Sequence, residues 1–444
     1  MTALMVCLGS VFGVASLTNF EAAAIVYLGV FAAVPVACSI DLGANLPLIS
    51  LQRLLASPLI VILAFQVWLS RGPLLRIPGM LPLCLMGAGM GLSALFSAYP
   101  SSAATFKAVS FWIEEIGIFT LAFAVLTSRR RIKVLVLGLC CTLAVVLGYM
   151  AIEFATRRNP LAEAALSFRE GLVFDYTLGE RFGLRRLQSV FRNPLDLGVY
   201  LLLVVPLALT LVSWRRPALK VVGVVLAVVG LMGAVLTGSR MVFYTFVATG
   251  MAYVVITRRW MLGLTAILLA GCIAGIASIL LHFPVLEFLV TSAFNPNLYL
   301  LDVGGSSVES LSRVTGEHIA LWMERPLFGW GVSTFPPTGM NFDPMRVGFG
   351  EQGISLLLAE TGIVGFGGFV IFVAALLRRL WRGIADPSAA WGRPLAIACF
   401  SATVGYIVSM QLEGSWHFDL FLVLGAAAMR AIELKEPDAE RLNA

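Results

Sequence analysis

Long apolar runs recur along the whole chain, and short polar or basic segments separate them. Each run has about the 20 residues that a helix needs to cross the hydrocarbon core of a bilayer. An outer-membrane barrel would instead show segments of about 10 residues with alternating apolar and polar positions. We therefore predict an all-α integral membrane protein, a polytopic bundle of about 12–13 transmembrane helices. The candidate spans are 3–20, 22–40, 54–70, 78–98, 107–127, 134–155, 195–213, 221–237, 241–257, 261–281, 354–377, 394–412 and 418–433.

Basic clusters between the apolar runs predict which side of the membrane each loop faces. By the positive-inside rule they mark the cytoplasmic ends of the spans. The two longest segments between spans, 156–194 and 282–353, then become extracytoplasmic loops of a single membrane domain, 1–444. Because only Glu21 separates the first two runs, two alternatives stay open: thirteen spans with Met1 outside, or twelve with Met1 inside. The clusters are Arg71 with Arg76, Arg129–Lys133, Arg215–Arg216, Arg258–Arg259 and Arg378–Arg382.

The composition agrees with a membrane protein and excludes a soluble globule. Hydrophobic residues make up 59% of the chain and charged residues 13%, against about 25% charged residues in ordinary soluble domains. Only four of the 31 basic residues are lysine, and the arginine guanidinium offers phosphate a planar pair of donors. A GC-rich genome would produce the same arginine excess. The three histidines are scattered without a zinc-binding spacing, so we predict no metal site and no cofactor.

The first predicted outer loop, 156–194, is positively charged. It carries seven arginines, Arg186 and Arg192 among them, against four acidic residues. This sign is opposite to the charge that sidedness favours outside, although long loops cross the membrane largely regardless of charge. We predict an anionic ligand at this loop.

The second predicted outer loop, 282–353, contains an amphipathic helix. Residues 306–309 form a capping box, and Pro326 ends the helix. For His318, core packing and catalysis stay open as alternatives. Arg313 lies on the other face, where it either binds substrate or forms an i,i+4 ion pair with Glu317. The predicted buried face consists of Val308, Leu311, Thr315, His318 and Trp322.

Four short motifs follow one another between residues 185 and 370. They are Gln-Ser-Val-Phe-Arg-Asn-Pro at 188–194, Thr-Gly-Ser-Arg at 237–240, Ser312-Arg313 with Trp322 and Pro-Leu-Phe-Gly-Trp-Gly at 326–331, and Leu-Ala-Glu-Thr-Gly-Ile-Val-Gly at 358–365. Together, in this order and on the predicted outer side, they resemble the O-antigen ligase and polymerase superfamily, often called Wzy/WaaL-like proteins.

The resemblance implies a glycosyltransferase at the outer face of the bacterial inner (cytoplasmic) membrane. The expected enzyme is a polysaccharide polymerase that transfers a glycan from polyprenyl pyrophosphate onto a second lipid-linked repeat unit. The expected partners are the lipid-linked donor and acceptor, the lipid bilayer and, as a further candidate, a chain-length regulator, with no nucleic acid.

The arginines of the motifs are the expected donor site. Protein cations can neutralise the departing pyrophosphate, so we expect an inverting transfer that needs no metal. Arg240, at the outer end of a predicted span, is expected to contribute both to catalysis and to binding. Arg186, Arg192 and Arg313 are expected to bind the donor. The alternative for Arg192 and Arg240 is contact with lipid headgroups.

One departure from the family pattern bears on the reaction. Family ligases place His-Asn nine residues before the glutamate that matches Glu360, whereas this chain has Glu351-Gln352 there. The missing histidine favours repeat-unit polymerisation over ligation onto lipid A core. Glu351 is then the expected catalytic base, with His318 next in line, and a solvated loop carboxylate is the alternative for Glu351.

Two rival functions stay open at this point. The first is an O-antigen ligase with an altered base. The second is a flippase or proton-coupled transporter, because acidic residues occur within predicted spans. These residues are Glu114 and Glu115 in one span, and Glu413, His417 and Asp419 near the last outer turn.

Overall fold

The helices of the protein follow the predicted spans closely. The computed structural model describes residues 2–35, 39–40, 49–70, 76–97, 102–161, 163, 180–181, 184–191, 193–258, 308–332, 353–413 and 417–434. Helices in these ranges overlap all predicted spans except 261–281, which lies outside the described residues. The predicted span 22–40 is too long, because its helical residues end at Ala33 and Ser39–Ile40 form a strand. The predicted outer loops are described only in part, and Glu351 and Arg192 also lie outside the described ranges.

The first half of the chain contains α1 (Thr2–Thr18), α2 (Phe20–Val30), α3 (Leu51–Ser70), α4 (Met80–Leu95), α5 (Ser102–Ser110), α6 (Gly117–Val125) and α7 (Arg129–Thr156). A π-helical segment, Phe111–Ile116, joins α5 to α6, and together they form one candidate span, Ala104–Val125. Two short antiparallel pairs accompany the helices. They are β1 (Ser39–Ile40) with β2 (Ile49–Ser50), and β3 (Glu180–Arg181) with β4 (Leu184–Arg185).

The second half contains α8 (Pro194–Thr210), α9 (Pro217–Leu236), α10 (Arg240–Thr257), α11 (Val308–Glu324), α12 (Gly353–Ala385), α13 (Arg393–Glu413) and α14 (Phe418–Glu433). Polar N-caps start several of these helices. The side chain of Asn193 accepts a hydrogen bond from Asp196 N (2.8 Å), and that of Ser239 accepts one from Val242 N (3.4 Å). Pro194 occupies the first turn of α8, where its missing N–H has no intrahelical role.

Seven helices in the described part of the chain are long and apolar enough to cross a membrane: Leu51–Leu69, Ala104–Val125, Arg129–Thr156, Pro194–Ser213, Pro217–Leu236, Gly353–Ala385 and Arg393–Leu412. Four shorter apolar helices accompany them: Met5–Thr18, Phe20–Ala33, Met80–Leu95 and Met241–Thr257. The chain is therefore an all-α, multi-pass membrane protein, and the predicted fold class is confirmed to this extent. The total of about 12–13 spans stays a prediction.

Glycines bring two distant helices, α4 and α12, into backbone contact. Gly89 lies against the backbone of Gly365, and Gly368 lies against the backbone of Met86, so a Cβ at either glycine would overlap the facing helix. Small residues allow this close approach between helices in membranes. Helix α13 packs against α8, α10, α12 and α14, and therefore links the two regions that carry the motifs.

Candidate functional site

The two residues just before the first motif contact the turn that contains the second motif, near the start of α8 and α10. Leu187 N donates to Leu236 O (3.2 Å), and the guanidinium Nε of Arg186 donates to Thr237 O (3.0 Å). Gly238 adopts φ +62°, and a Cβ there would lie 3.2 Å from Arg186 Cγ. A glycine is therefore suited to this turn, because it takes the left-handed conformation without strain and admits the Arg186 side chain.

The first turns of α8 and α10 lie side by side. Gly198 in α8 leaves no room for a Cβ against the Val242 side chain of α10. Helix α9 follows α8 and leads back to the start of α10, so α8 and α10 begin on the same side of the bundle. We call this region, comprising Arg186–Leu187, the Thr237–Gly238 turn and the N-termini of α8 and α10, the arginine corner.

The arginine corner combines the partial positive charge of two helix N-termini with the charge of arginines in its sequence. Arg240 is the first residue of α10, and its side chain lies outside the described part of the structure. Arg192 directly precedes the Asn193 N-cap of α8 in sequence. A cation at a helix N-terminus opposes the helix dipole, at about 0.3–1 kcal/mol each, unless an anion is present. Helix N-termini with adjacent arginines are well suited to bind phosphate.

A buried glutamate that the sequence analysis missed holds the first motif in place. Glu153, near the end of α7, is fully buried, and its Oε2 accepts hydrogen bonds from Ser189 N (2.7 Å) and Gln188 N (3.3 Å). Ser189 has φ +54°, and its hydroxyl donates to Val146 O (2.8 Å). The signal was available, because an acidic residue inside an apolar run requires a polar partner.

The third and fourth motifs also pair, through their backbones. Trp330 N donates to Ala359 O (3.0 Å), and Gly331 N donates to Glu360 O (3.1 Å). In return, Ile363 N donates to Pro326 O (2.8 Å). Helix α12 is broken at Gly362 (φ +62°), which frees these carbonyl and amide groups for the neighbouring turn. We call the segments 326–331 and 359–364 the interlocked turns.

The interlocked turns rest on the end of α4. The hydroxyl of Ser97 donates to Trp330 O (2.8 Å), and the hydroxyl of Ser93 donates to Glu360 O. Arg325 donates to Phe96 O (3.3 Å), and its guanidinium lies 4.9 Å from the centre of the Trp330 ring. These contacts supply hydrogen-bond partners for backbone groups that the break in α12 exposes inside an apolar bundle.

His318 lies in the contact between α11 and α12. It is 1% exposed, and its Nδ1 lies 2.9 Å from Ser355 Oγ. Burial lowers the pKa of His318 to about 4, so the imidazole is neutral at pH 7. These observations favour the packing alternative for His318 over a direct catalytic role.

The buried face of α11 differs in part from the predicted one: His318 is buried as predicted, and the side chains of Val308 and Leu311 lie outside the described part of the structure. The observed face runs through Val314, His318 and Leu321, whereas Thr315 and Trp322 are partly exposed. Trp322 turns to the helix end because its indole N–H donates to Pro326 O (3.1 Å). The predicted helix itself is confirmed, since α11 ends at Glu324, just before Pro326.

The structure thus brings some of the predicted site residues together. Arg186 and the backbone of Arg240 meet in the arginine corner, and the backbone of Arg313 and His318 belong to α11. Glu351 and Arg192 lie outside the described residues, as does the Arg313 side chain. His417 connects the corner to α14, because its Nε2 lies 3.1 Å from Asp196 O.

The described residues contain no group of three or more His, Cys, Asp or Glu side chains that could hold a metal ion. Comparison with known proteins adds no family assignment, since no protein-family profile and no curated protein matches the chain.

Proposed function

We propose that this protein is a polysaccharide polymerase that uses a polyprenyl-pyrophosphate-linked donor. The observation that carries the proposal is the arginine corner. Arg186 is anchored by its Nε on the turn before Arg240, and this turn lies beside the start of α8, which Arg192 precedes. A pyrophosphate attached to a membrane-embedded lipid would meet cations and two helix N-termini at this place.

The proposed reaction is a displacement at the anomeric carbon of the donor glycan. An acceptor hydroxyl forms the new C–O bond while the bond from the anomeric carbon to phosphate breaks, and the pyrophosphate leaves with the electron pair. The hydroxyl proton passes to a base, for which Glu351 is our candidate. Attack opposite the leaving group inverts the anomeric configuration.

The arginines would act mainly on the departing group. Negative charge grows on the pyrophosphate as the bond breaks, so a cation at this place stabilises the transition state more than the bound donor. Cleavage of the bond between the anomeric carbon and phosphate drives the transfer, so the proposed reaction requires no nucleotide.

A ligase of lipid A core is the second candidate, because the same donor chemistry would serve it. The Glu351-Gln352 pair in place of the ligase His-Asn favours polymerisation. A flippase or other transporter is the third candidate, and the acidic residues inside the spans are the observation that favours it.

The deciding experiment supplies purified full-length protein with lipid-linked repeat units in liposomes. A ladder of glycan lengths supports the proposal, a single product on added lipid A core supports the ligase, and donor movement without new bonds supports the flippase. An EDTA arm tests metal independence. Loss of the ladder in EDTA, restored by one divalent ion, would contradict the arginine-only mechanism.

A further inference from the structure

A second polar region lies inside the bundle, and His417, which precedes α14, connects this region to the arginine corner. It contains Glu114 and Glu115 on the π-helical segment Phe111–Ile116, and Asp419 at the start of α14. Phe111 and Phe418 stack at 6.3 Å, so the two segments meet at this level. π-Helical turns are rare and occur frequently at functional sites.

Two of the three carboxylates are already matched by partners. Glu114 forms an ion pair with Arg53 and accepts a hydrogen bond from Ser110 Oγ (3.0 Å). Asp419 accepts hydrogen bonds on both oxygens, from Gln52 Nε2 (2.8 Å) and from Leu420 N (2.7 Å).

Glu115 differs from both. Its Oε2 atom is buried, and no residue in the described ranges donates a hydrogen bond to it. Asp419, Lys107 and Glu114 lie within electrostatic range of Glu115. Because Arg53 is paired with Glu114, the carboxylates of Glu115 and Asp419 share only Lys107, and one negative charge has no matching cation among these groups.

Two buried tyrosine hydroxyls provide a second observation on this region, besides the carboxylates. Tyr27 of α2 is 1% exposed and Tyr406 of α13 is 0% exposed, and neither hydroxyl has a hydrogen-bond partner among the described residues. Both side chains lie within electrostatic range of Glu115 and Asp419. A buried hydroxyl without a partner is unfavourable, so two of them within electrostatic range of one carboxylate favour a ligand that the three groups share.

We propose that Glu115, together with the hydroxyls of Tyr27 and Tyr406, binds one monovalent cation, either a proton or Na⁺. A monovalent ion fits the charge count, since one negative charge remains to be matched. The carboxylate and the two hydroxyls of the proposed site all offer oxygen as the ligand atom. The described residues offer no cluster of three or more His, Cys, Asp or Glu side chains, which disfavours a divalent metal. Intramembrane carboxylates of this kind mark ion or proton sites in other membrane proteins. The inference does not depend on the proposed glycosyltransferase activity.

The test uses the full chain in lipid nanodiscs. One arm measures the thermal unfolding midpoint as NaCl replaces choline chloride at constant ionic strength, because a ligand of the folded state raises this midpoint with its concentration. The other arm records the infrared carbonyl band of a protonated carboxyl group at pH 7. We expect wild-type protein to show one of the two signals: Na⁺-dependent stability if the ion is Na⁺, and the acid band if it is a proton.

Variants assign the signal to the site. Glu115→Gln should abolish whichever signal is present, while the control Glu163→Gln, in the exposed Arg158–Glu163 ion pair, should keep it. Tyr406→Phe retains the ring stack on Phe421 (4.7 Å) and should fold, yet bind the ion roughly 10-fold more weakly because one oxygen ligand is lost. Absence of both signals in wild type, persistence of the signal in Glu115→Gln, or unchanged affinity in both Tyr406→Phe and Tyr27→Phe would each overturn the proposal.

Discussion

The arginine corner and the interlocked turns use different chemistry to join distant segments. In the corner a cationic side chain, Arg186, holds a backbone carbonyl at a turn that opens a helix. In the interlocked turns the two segments are joined by backbone hydrogen bonds, and three glycines with positive φ, Gly329, Gly331 and Gly362, lie at the contact. The arginine corner is therefore suited to bind an anion, whereas the interlocked turns are suited to hold two backbone segments in a fixed arrangement. Substitutions should therefore affect turnover in the first region and folding in the second.

The largest effect on turnover is expected outside both regions, for the candidate base Glu351, which lies outside the described residues. Glu351→Gln keeps the size and hydrogen bonding of the side chain but cannot accept a proton. We expect turnover to fall about 100- to 10,000-fold with little change in donor affinity, as measured by single-turnover and binding assays. Glu163→Gln is the matched control. Normal turnover would remove Glu351 as the candidate base.

In the arginine corner, Arg240→Ala should reduce turnover by about 30- to 1,000-fold, because it removes about 2–4 kcal/mol of transition-state stabilisation. Membrane insertion and abundance should stay normal. The matched control is Arg215→Ala, which removes an arginine from the loop at the other end of α8. Polymer at the wild-type level from a normally expressed Arg240→Ala variant would remove Arg240 from the mechanism.

The two glycines with φ +62° allow a matched test of stability. A Cβ at Gly362 would lie 2.6 Å from the backbone N of Phe328, whereas a Cβ at Gly238 meets only the flexible Arg186 side chain at 3.2 Å. We expect Gly238→Ala to cost about 1–2 kcal/mol through backbone strain alone. Gly362→Ala should cost about 3 kcal/mol, since the facing backbone must also move.

Thermal unfolding in detergent and the yield of monodisperse protein would measure this difference. Equal losses for the two variants would show that the backbone contact in the interlocked turns is no more rigid than the side-chain contact in the arginine corner.

A stability effect of similar size to that of Gly238→Ala, but dependent on pH, is expected through His318. Its pKa falls from 6.5 to about 4 on folding, so the unfolded chain binds more protons between these values. The stabilising contribution is therefore complete above pH 6.5 and is lost as the pH falls towards 4. Between pH 7 and pH 5 we expect a loss of about 2 kcal/mol. His318→Gln should flatten this part of the unfolding profile, and an unchanged profile would contradict the assignment.

The helices were predictable from the sequence because the bilayer fixes their length and composition. Apolar runs such as 134–155 and 418–433 coincide with α7 and α14 to within a few residues. The π-helical turn in the span Ala104–Val125 was not predictable, since Glu114 and Glu115 indicate polar surroundings whereas the type of helical turn depends on packing.

The pairing of the motifs required the structure. Sequence order placed the first motif before the second but could not show that Leu187 bonds to Leu236, because long-range contacts leave no local signal. The same limit applies to the face of α11, where one hydrogen bond of Trp322 outweighs the apolar periodicity. Glu153 could have been found, since an acidic residue in an apolar run always needs a partner.

The contact between α4 and the interlocked turns has a consequence for biosynthesis. Ser93 and Glu360, which it joins, are separated by 267 positions in the chain. At a synthesis rate of about 5–20 residues per second, α4 enters the membrane roughly 10 to 50 seconds before its partner leaves the ribosome. During this interval the glycine face of α4, with Gly89 at its centre, has to be covered by lipid or by an insertion factor. Slowing translation between residues 95 and 353 should therefore lower the yield of assembled protein without altering its sequence.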